Sequence, residues 1–288
     1  MKRTVRMTRR ITFSSGHRYW RTDLTSEQNK ALFGQIASPF SHGHNYVLDV
    51  EVAGPVGEVD GMVVNIKRVD DLLKSKVKAV FDQRSINDEV PEFANVAPSV
   101  ENLLLDLKHR LCDADGNLAV NRMITEASEV VPIALVGLRL EEMPTLYGEL
   151  NLMNPEILLT RVYEFAAAHR LNTSQLSTED NVGLYGKCNH AHGHGHNYVL
   201  EVTVAGQPDP TSGFICDLGE LDAAVEAEIL DRYDHRNLDL DVPELAGKVT
   251  TSENVSLAIF DRLKTKTPAR LARVRLWETA RNCFEVSA

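Results

Sequence analysis

Polar and apolar residues alternate with period two in the same two places in each half of the chain. Thr160 to His169, T-R-V-Y-E-F-A-A-A-H, reads as a half-buried strand ending on a histidine, and Arg10 to His17 stands in the equivalent place earlier. A second strand opens on H-G-H in each half and continues as N-Y-V-L-D-V-E-V or N-Y-V-L-E-V-T-V, β-branched alternations suited to a pleated surface. Gly-rich turns follow (Gly54 to Gly61, Gly206 to Gly213), and then short strands are expected at Met62 to Asn65 and Phe214 to Asp217. The period then changes. Val69, Leu72, Leu73, Val77 and Val80 recur at helical spacing, as do Leu218, Leu221, Val225 and Ile229. A further helix opens at S-V-E-N and at T-S-E-N, with Ser99 and Ser252 as expected N-caps and acidic residues in the first turn. L-V-G-L-R-L-E-E and A-R-V-R-L-W-E-T read as the closing strands.

This shared order is a duplication in register. F-S-S-G-H-R, L-F-G, H-G-H-N-Y-V-L and A-G in residues 13–54 return as F-A-A-A-H-R, L-Y-G, H-G-H-N-Y-V-L and A-G in residues 165–206, at a constant offset of 152. The offset holds through Gly61/Gly213, Asp82/Asp234, Pro91/Pro243 and Glu101/Glu253, then drops to 136, where Glu142 matches Glu278. Copy one therefore carries about 16 extra residues, expected as a surface loop around the D-G-N turn at 115–117. A linker is expected near Gly148 to Glu156, so the domains divide as 1–153 and 154–288.

A chain of 288 residues gives each copy enough length for its own core. The net charge of −10 argues against nonspecific nucleic-acid binding, though a local basic pocket could still hold an anionic substrate. Cys112, Cys188, Cys216 and Cys283 are widely spaced, which suggests neither a disulfide framework nor a cysteine zinc site. No apolar run approaches the length of a membrane span, and the basic start lacks a secretory apolar stretch, so a cytoplasmic protein is expected.

Alternation places His194 and His196 on one face of a strand, and His169 ends the neighbouring strand. Three neutral imidazoles with an open fourth position match a catalytic zinc site, with iron or nickel as alternatives. Unrelated histidines at strand ends are the plainer explanation, but His17, His42 and His44 repeat the triad at identical separations. His190 and His192 are read mainly as loop residues. Cys188, in the polar segment G-K-C-N-H, is placed where a thiol can become a base or nucleophile. Asp234-His235 is the second candidate for proton transfer, since a carboxylate beside an imidazole sets its tautomer.

F-A-A-A-H, G-K-C-N with H-G-H-N-Y, D-H-R-N-L-D, T-T-S-E-N and L-W-E-T stand in the order found in 6-pyruvoyltetrahydropterin synthases. The resemblance covers residues 160–285 and extends more weakly over 10–150. It implies an α+β chain of two tunnelling-fold domains, each an antiparallel four-stranded sheet with two helices on one face. It also implies zinc at His169, His194 and His196, Cys188 as the proton-abstracting base, and Asp234 with His235 as relay. Glu278 would anchor the pterin ring, assisted by Thr251, Ser252 and Glu253. The implied substrate is 7,8-dihydroneopterin triphosphate. Five residues separate Cys188 from His194, as in the pyruvoyl-forming members of tetrahydrobiopterin biosynthesis, whereas the 6-carboxytetrahydropterin-forming relatives typically have three. Family rings, with sites formed between subunits, imply a trimer of tandem chains.

Copy one keeps its histidines, Asp82, Glu101 and Glu142, but has Ile36 where copy two has Cys188 and Gln83 where it has His235. Neither replacement moves a proton. Copy one is therefore a structural partner with a vestigial metal site, a contributor to composite sites, or the seat of another reaction. A zinc hydrolase and a non-catalytic pterin-binding module are the rivals for the whole chain.

Overall fold

The computed structural model describes residues 3–113, 115, 117–119, 122–124, 129–131 and 133–288. Contacts divide the chain into two compact units, Met1–Leu159 with Gln207–Ile215, and Thr160–Gly206 with Cys216–Ala288. The division falls inside one strand, Asn154–His169. The turn 207–215, part of copy two by sequence, packs with copy one. Among the described residues, no helix is long and apolar enough to cross a membrane.

In the first unit, Thr4–His17 pairs antiparallel with His42–Pro55, which pairs with Ala134–Met143, which pairs with Leu146–Asn151. The period-two pattern buries Tyr46, Leu48, Val50 and Val52 completely. Their partners come from a helix at Ile66–Leu73, continued through a π turn to Phe81, and from the helix Val100–Leu111. Val69, Leu73, Val77 and Phe81 from the first of these, and Leu103, Leu104 and Leu107 from the second, close the core. In the second unit the order is Asn154–His169, His194–Gly206, Arg270–Thr279 and Asn282–Ser287. Tyr198, Leu200 and Val202 meet Leu221, Val225 and Ile229 of one helical run and Val255, Ile259 and Leu263 of another. Phe13 stacks on Tyr46 and Phe165 on Tyr198, both at 5.0 Å between ring centres. Each unit is thus the expected α+β arrangement of a four-stranded antiparallel sheet with two longer helices.

Four local expectations change. The linker expected near Gly148–Glu156 contains the fourth strand of the first sheet, Leu146–Asn151, and the start of Asn154–His169, leaving only residues 152–153 as a turn. Met62–Asn65 and Phe214–Asp217 are not strands; they are bends that lead into the helices capped by Asn65 and Asp217. Ser99 caps its helix as expected, but at the other site Thr251 is the cap and Ser252 is already helical. The expected loop at 112–129 lies partly outside the described residues; its described part includes Arg122–Ile124, paired with Glu129–Val131.

Candidate metal centre and pterin site

The sheet register assembles each triad. His17 stands directly opposite His42, and His44, two residues on, faces the same side. In both units the three ligand atoms lie within 4.8 Å of one another. His169 Nε2 is 3.2 Å from His194 Nε2, and His17 Nε2 is 3.0 Å from His42 Nε2. His169 Nδ1 lies 2.7 Å from the Thr250 carbonyl and His17 Nδ1 2.9 Å from that of Pro98. A carbonyl only accepts, so each Nδ1 carries the proton and each Nε2 presents its lone pair to the centre.

Electrostatics favour the same state. Burial, reinforced by the neighbouring imidazoles, lowers His17 to about 3; burial and His42 lower His44 to about 4. Burial also lowers His42, His194 and His196. Neutral imidazoles are what a metal needs. The buried Nε2 atoms of His44 and His196 have no hydrogen-bond partner. An orphaned buried nitrogen is costly, and a cation between the facing rings satisfies it. Both triads therefore fit a metal bound by three imidazoles with a position left open.

A carboxylate reaches each triad by the same device. The register between the last two strands shifts at Trp277/Thr279 in one unit and at Glu141/Met143 in the other, so Glu278 and Glu142 are the extra residues in β-bulges. Glu278 Oε1 lies 3.8 Å from His196 Nε2 and 3.9 Å from His169 Nε2, while Glu142 Oε1 lies 3.6 Å from His44 Nε2. Ser252 Oγ donates to Glu278 Oε1 at 2.8 Å and Asn282 Nδ2 donates to Oε2 at 3.3 Å. Burial works to raise the Glu278 carboxyl, but these two donors and the two imidazoles outweigh it and hold it below the usual carboxylate range.

Of the other expected residues, Thr251 is occupied as the helix cap and Glu253 is exposed in the first turn. Cys188 lies half-buried in a 3₁₀ turn, Gly186–Asn189, whose Cys188 carbonyl accepts the Leu171 N–H at 2.9 Å. His235 Nδ1 is 2.8 Å from Asp234 Oδ2, and Asp234 Oδ1 accepts the Ala166 N–H at 2.7 Å. That backbone bond and His235 lower the Asp234 carboxyl. His235 lines an open cleft of about 560 Å³ with His196, Asn197, Arg236 and Gly195. Among the described residues, neither Cys188 nor His235 is hydrogen bonded to the triad; His235 shares the cleft with His196. His190 and His192 are outside the triad and pair with each other, the His192 N–H reaching His190 Nδ1 at 3.4 Å.

Sequence reasoning missed several supporting residues. Asn189, almost fully buried, donates to the Leu171 carbonyl at 2.7 Å and to Asn172 at 3.0 Å, pinning the Cys188 turn. Asp239 accepts the Arg170 N–H at 2.6 Å and the Thr250 hydroxyl at 2.7 Å, and so holds the carbonyl that orients His169. Gln83 and His235 both sit at positive φ, 59° and 55°. Each must, because its N–H bonds the first strand at Ser14 or Ala166. Copy one keeps this strained backbone although its side chain has lost the imidazole.

The family model for 6-pyruvoyl tetrahydropterin synthase matches residues 6–124 and again 158–288. A 6-pyruvoyl tetrahydrobiopterin synthase of Poecilia reticulata is 46% identical over 125 residues, which are 43% of this chain and 85% of that protein. The Homo sapiens protein of the same name is 44% identical, over 43% of this chain and 86% of its own. The solved Caenorhabditis elegans 6-pyruvoyl tetrahydropterin synthase, at 43% identity, covers 46% of this chain and 96% of its own, with a TM-score of 0.45. A 6-carboxy-5,6,7,8-tetrahydropterin synthase of Rickettsia bellii is 29% identical over 37% of this chain and 80% of its own. With two matches that together span most of its length, the chain belongs to the 6-pyruvoyl tetrahydropterin synthase family.

Proposed function

We propose that the chain is a zinc-dependent lyase that converts 7,8-dihydroneopterin triphosphate to 6-pyruvoyltetrahydropterin with release of triphosphate, and that the chemistry belongs to copy two. The observation that carries this reading is the difference between two otherwise matched centres. Both have three convergent imidazoles and a bulge-borne carboxylate, but copy two carries Cys188 and His235 where copy one carries Ile36 and Gln83.

The residues divide the work as follows. Glu278, ionised and held by Ser252 and Asn282, receives two parallel N–H bonds from the aminopyrimidinone edge of the pterin. Thr251, Ser252 and Glu253 border that edge. This places the substrate side chain against His169, His194 and His196, which would hold zinc; bound there, zinc supplies Lewis-acid polarisation of the substrate's hydroxyl oxygens. Cys188, as thiolate, takes a carbon-bound proton from the side chain. His235, its tautomer set by Asp234, returns protons as triphosphate leaves. The open cleft beside His235 and Arg236 gives the polar tail a route to solvent. The protein is further proposed to assemble as a trimer of tandem chains and to act in the cytoplasm.

The pyruvoyl product is favoured over the carboxy product by the five-residue spacing and by the higher identity to pyruvoyl-named relatives. Incubation of zinc-loaded protein with dihydroneopterin triphosphate, followed by mass spectrometry, is expected to give the pyruvoyl product and free triphosphate. A 6-carboxy product with acetaldehyde, or triphosphate released without change at carbon, would overturn it.

A further inference from the structure

The residues that support His169 and those that support Cys188 form one connected set, and half-buried Arg170 joins them. On the metal side, Asp239 Oδ2 accepts the Arg170 N–H and Asp239 Oδ1 the Thr250 hydroxyl, while the Thr250 carbonyl takes the His169 Nδ1 proton. On the other side the Arg170 guanidinium reaches the Cys188 turn. Its Nε donates to the Asn189 carbonyl at 3.1 Å and its Nη2 to Asn189 Oδ1 at 3.3 Å. Asn189 Nδ2 donates in turn to the Leu171 carbonyl, and the Leu171 N–H to the Cys188 carbonyl. Gly193, at φ 70°, lets the segment between Cys188 and His194 close on the same place: a Cβ there would stand 2.7 Å from the His169 carbonyl oxygen.

Copy one shows what the fold alone retains. It keeps the arginine as Arg18 and the buried histidine as His17, but not the connection between them and the turn. Ala37 stands in place of Asn189, Asn87 of Asp239, Pro98 of Thr250 and Ser41 of Gly193. Asp88 stands in place of Leu240, and the Arg18 guanidinium bonds to that carboxylate instead, at 2.7 and 2.6 Å. The buried histidine has a carbonyl partner in both copies, Pro98 in one and Thr250 in the other. What copy one lacks is the link from that carbonyl to the turn. The link is missing in the copy that has Ile36 where the other has Cys188. Within one chain, the arginine's partners have changed together with the thiol.

We propose that Arg170 is a positioning residue that fixes the Cys188 turn relative to His169, so that the proton-abstracting group and the metal centre are held as one unit. Its planar fork makes two bonds to the residue that follows Cys188, and a fork loses less freedom per bond than a flexible amine does. The rigidity matters because a misplacement of about 1 Å at a reacting group can cost about 100-fold in rate. In this role Arg170 acts through Asn189 and touches neither substrate nor metal. The proposal rests on copy two being the working site.

The test removes the fork in Arg170→Gln and its acceptor in Asn189→Ala, the residue copy one has. Each should lower kcat on dihydroneopterin triphosphate about 10- to 100-fold, with KM and bound zinc within about twofold of wild type. Because both act on one connection, the double variant should be no slower than the slower single variant. Arg170→Lys should fall between Arg170→Gln and wild type, since an amine does not reproduce the fork. Arg18→Gln, at the equivalent place in copy one, should turn over like wild type. An unchanged kcat in Arg170→Gln, a loss confined to KM or to zinc content, or losses that multiply in the double variant overturns the proposal. If wild-type protein does not turn over dihydroneopterin triphosphate, the lyase reading fails by itself, and alkylation by iodoacetamide, followed by mass spectrometry of the Cys188 peptide, decides the positioning role. A rate about tenfold higher in Arg170→Gln, from a half-buried thiol uncovered as its turn loosens, supports it; an equal or lower rate overturns it.

Discussion

Ser252→Ala isolates the hydroxyl that holds the proposed pterin anchor. Ser252 is almost fully buried, and its Oγ donates to Glu278 Oε1 at 2.8 Å. A hydrogen bond to a charged acceptor contributes roughly 1.5–3 kcal/mol. Asn282 remains on the other oxygen and water recovers part of the loss, which leaves about 1–2 kcal/mol. Binding a pterin requires the same carboxylate orientation, so the loss appears as affinity weakened about 5- to 30-fold. The first copy shows that the fold survives the change: Val100 occupies the equivalent position, and Glu142 takes a longer bond of 3.4 Å from the Tyr46 hydroxyl. Isothermal titration of a pterin into zinc-loaded Ser252→Ala, with Ser252→Thr as the hydroxyl-restoring control, gives the answer. Affinity within twofold of wild type, or an equal loss in Ser252→Thr, would refute the role given to this bond.

Other consequences follow from the supporting residues. Asp239→Ala should weaken metal binding at copy two by about 10- to 100-fold and leave copy one unchanged, because only copy two holds its ligand-orienting carbonyl through a carboxylate. Chelator competition on zinc-loaded protein would show one site loosened; equal release from both would contradict the assignment. Glu101 is raised by burial, against the Ile215 N–H that favours its charge. An acid whose folded pKa exceeds its unfolded value loses relative stability as pH rises between the two. Glu101→Gln should therefore melt progressively higher relative to wild type from pH 4 to pH 7.5, and a gap independent of pH would count against it.

The triads were legible because strand alternation fixes which residues share a face: His42 and His44 could not be separated without breaking the apolar run from Tyr46 to Val52. The cores of the helices were legible for the same reason at a different period. The placement of Glu278 was not, since its approach depends on a bulge that interrupts the alternation, and only the resemblance pointed to it. Ser252 was misplaced by one position because Thr251 and Ser252 are both capable caps; the offset of 152 from Ser99 selects Thr251. The fourth strand, L-Y-G-E-L-N, is short and holds a glycine, so it read as linker. Asn189 and Asp239 look like ordinary loop polar residues until their partners, distant in sequence, are known.

The central claim is that proton transfer belongs to copy two while both copies keep a metal centre. It is tested most directly by measuring turnover of dihydroneopterin triphosphate and bound zinc together in Cys188→Ala. The account predicts turnover abolished with the zinc content of wild type. Retained turnover would contradict it, by removing from Cys188 the role that distinguishes the two centres.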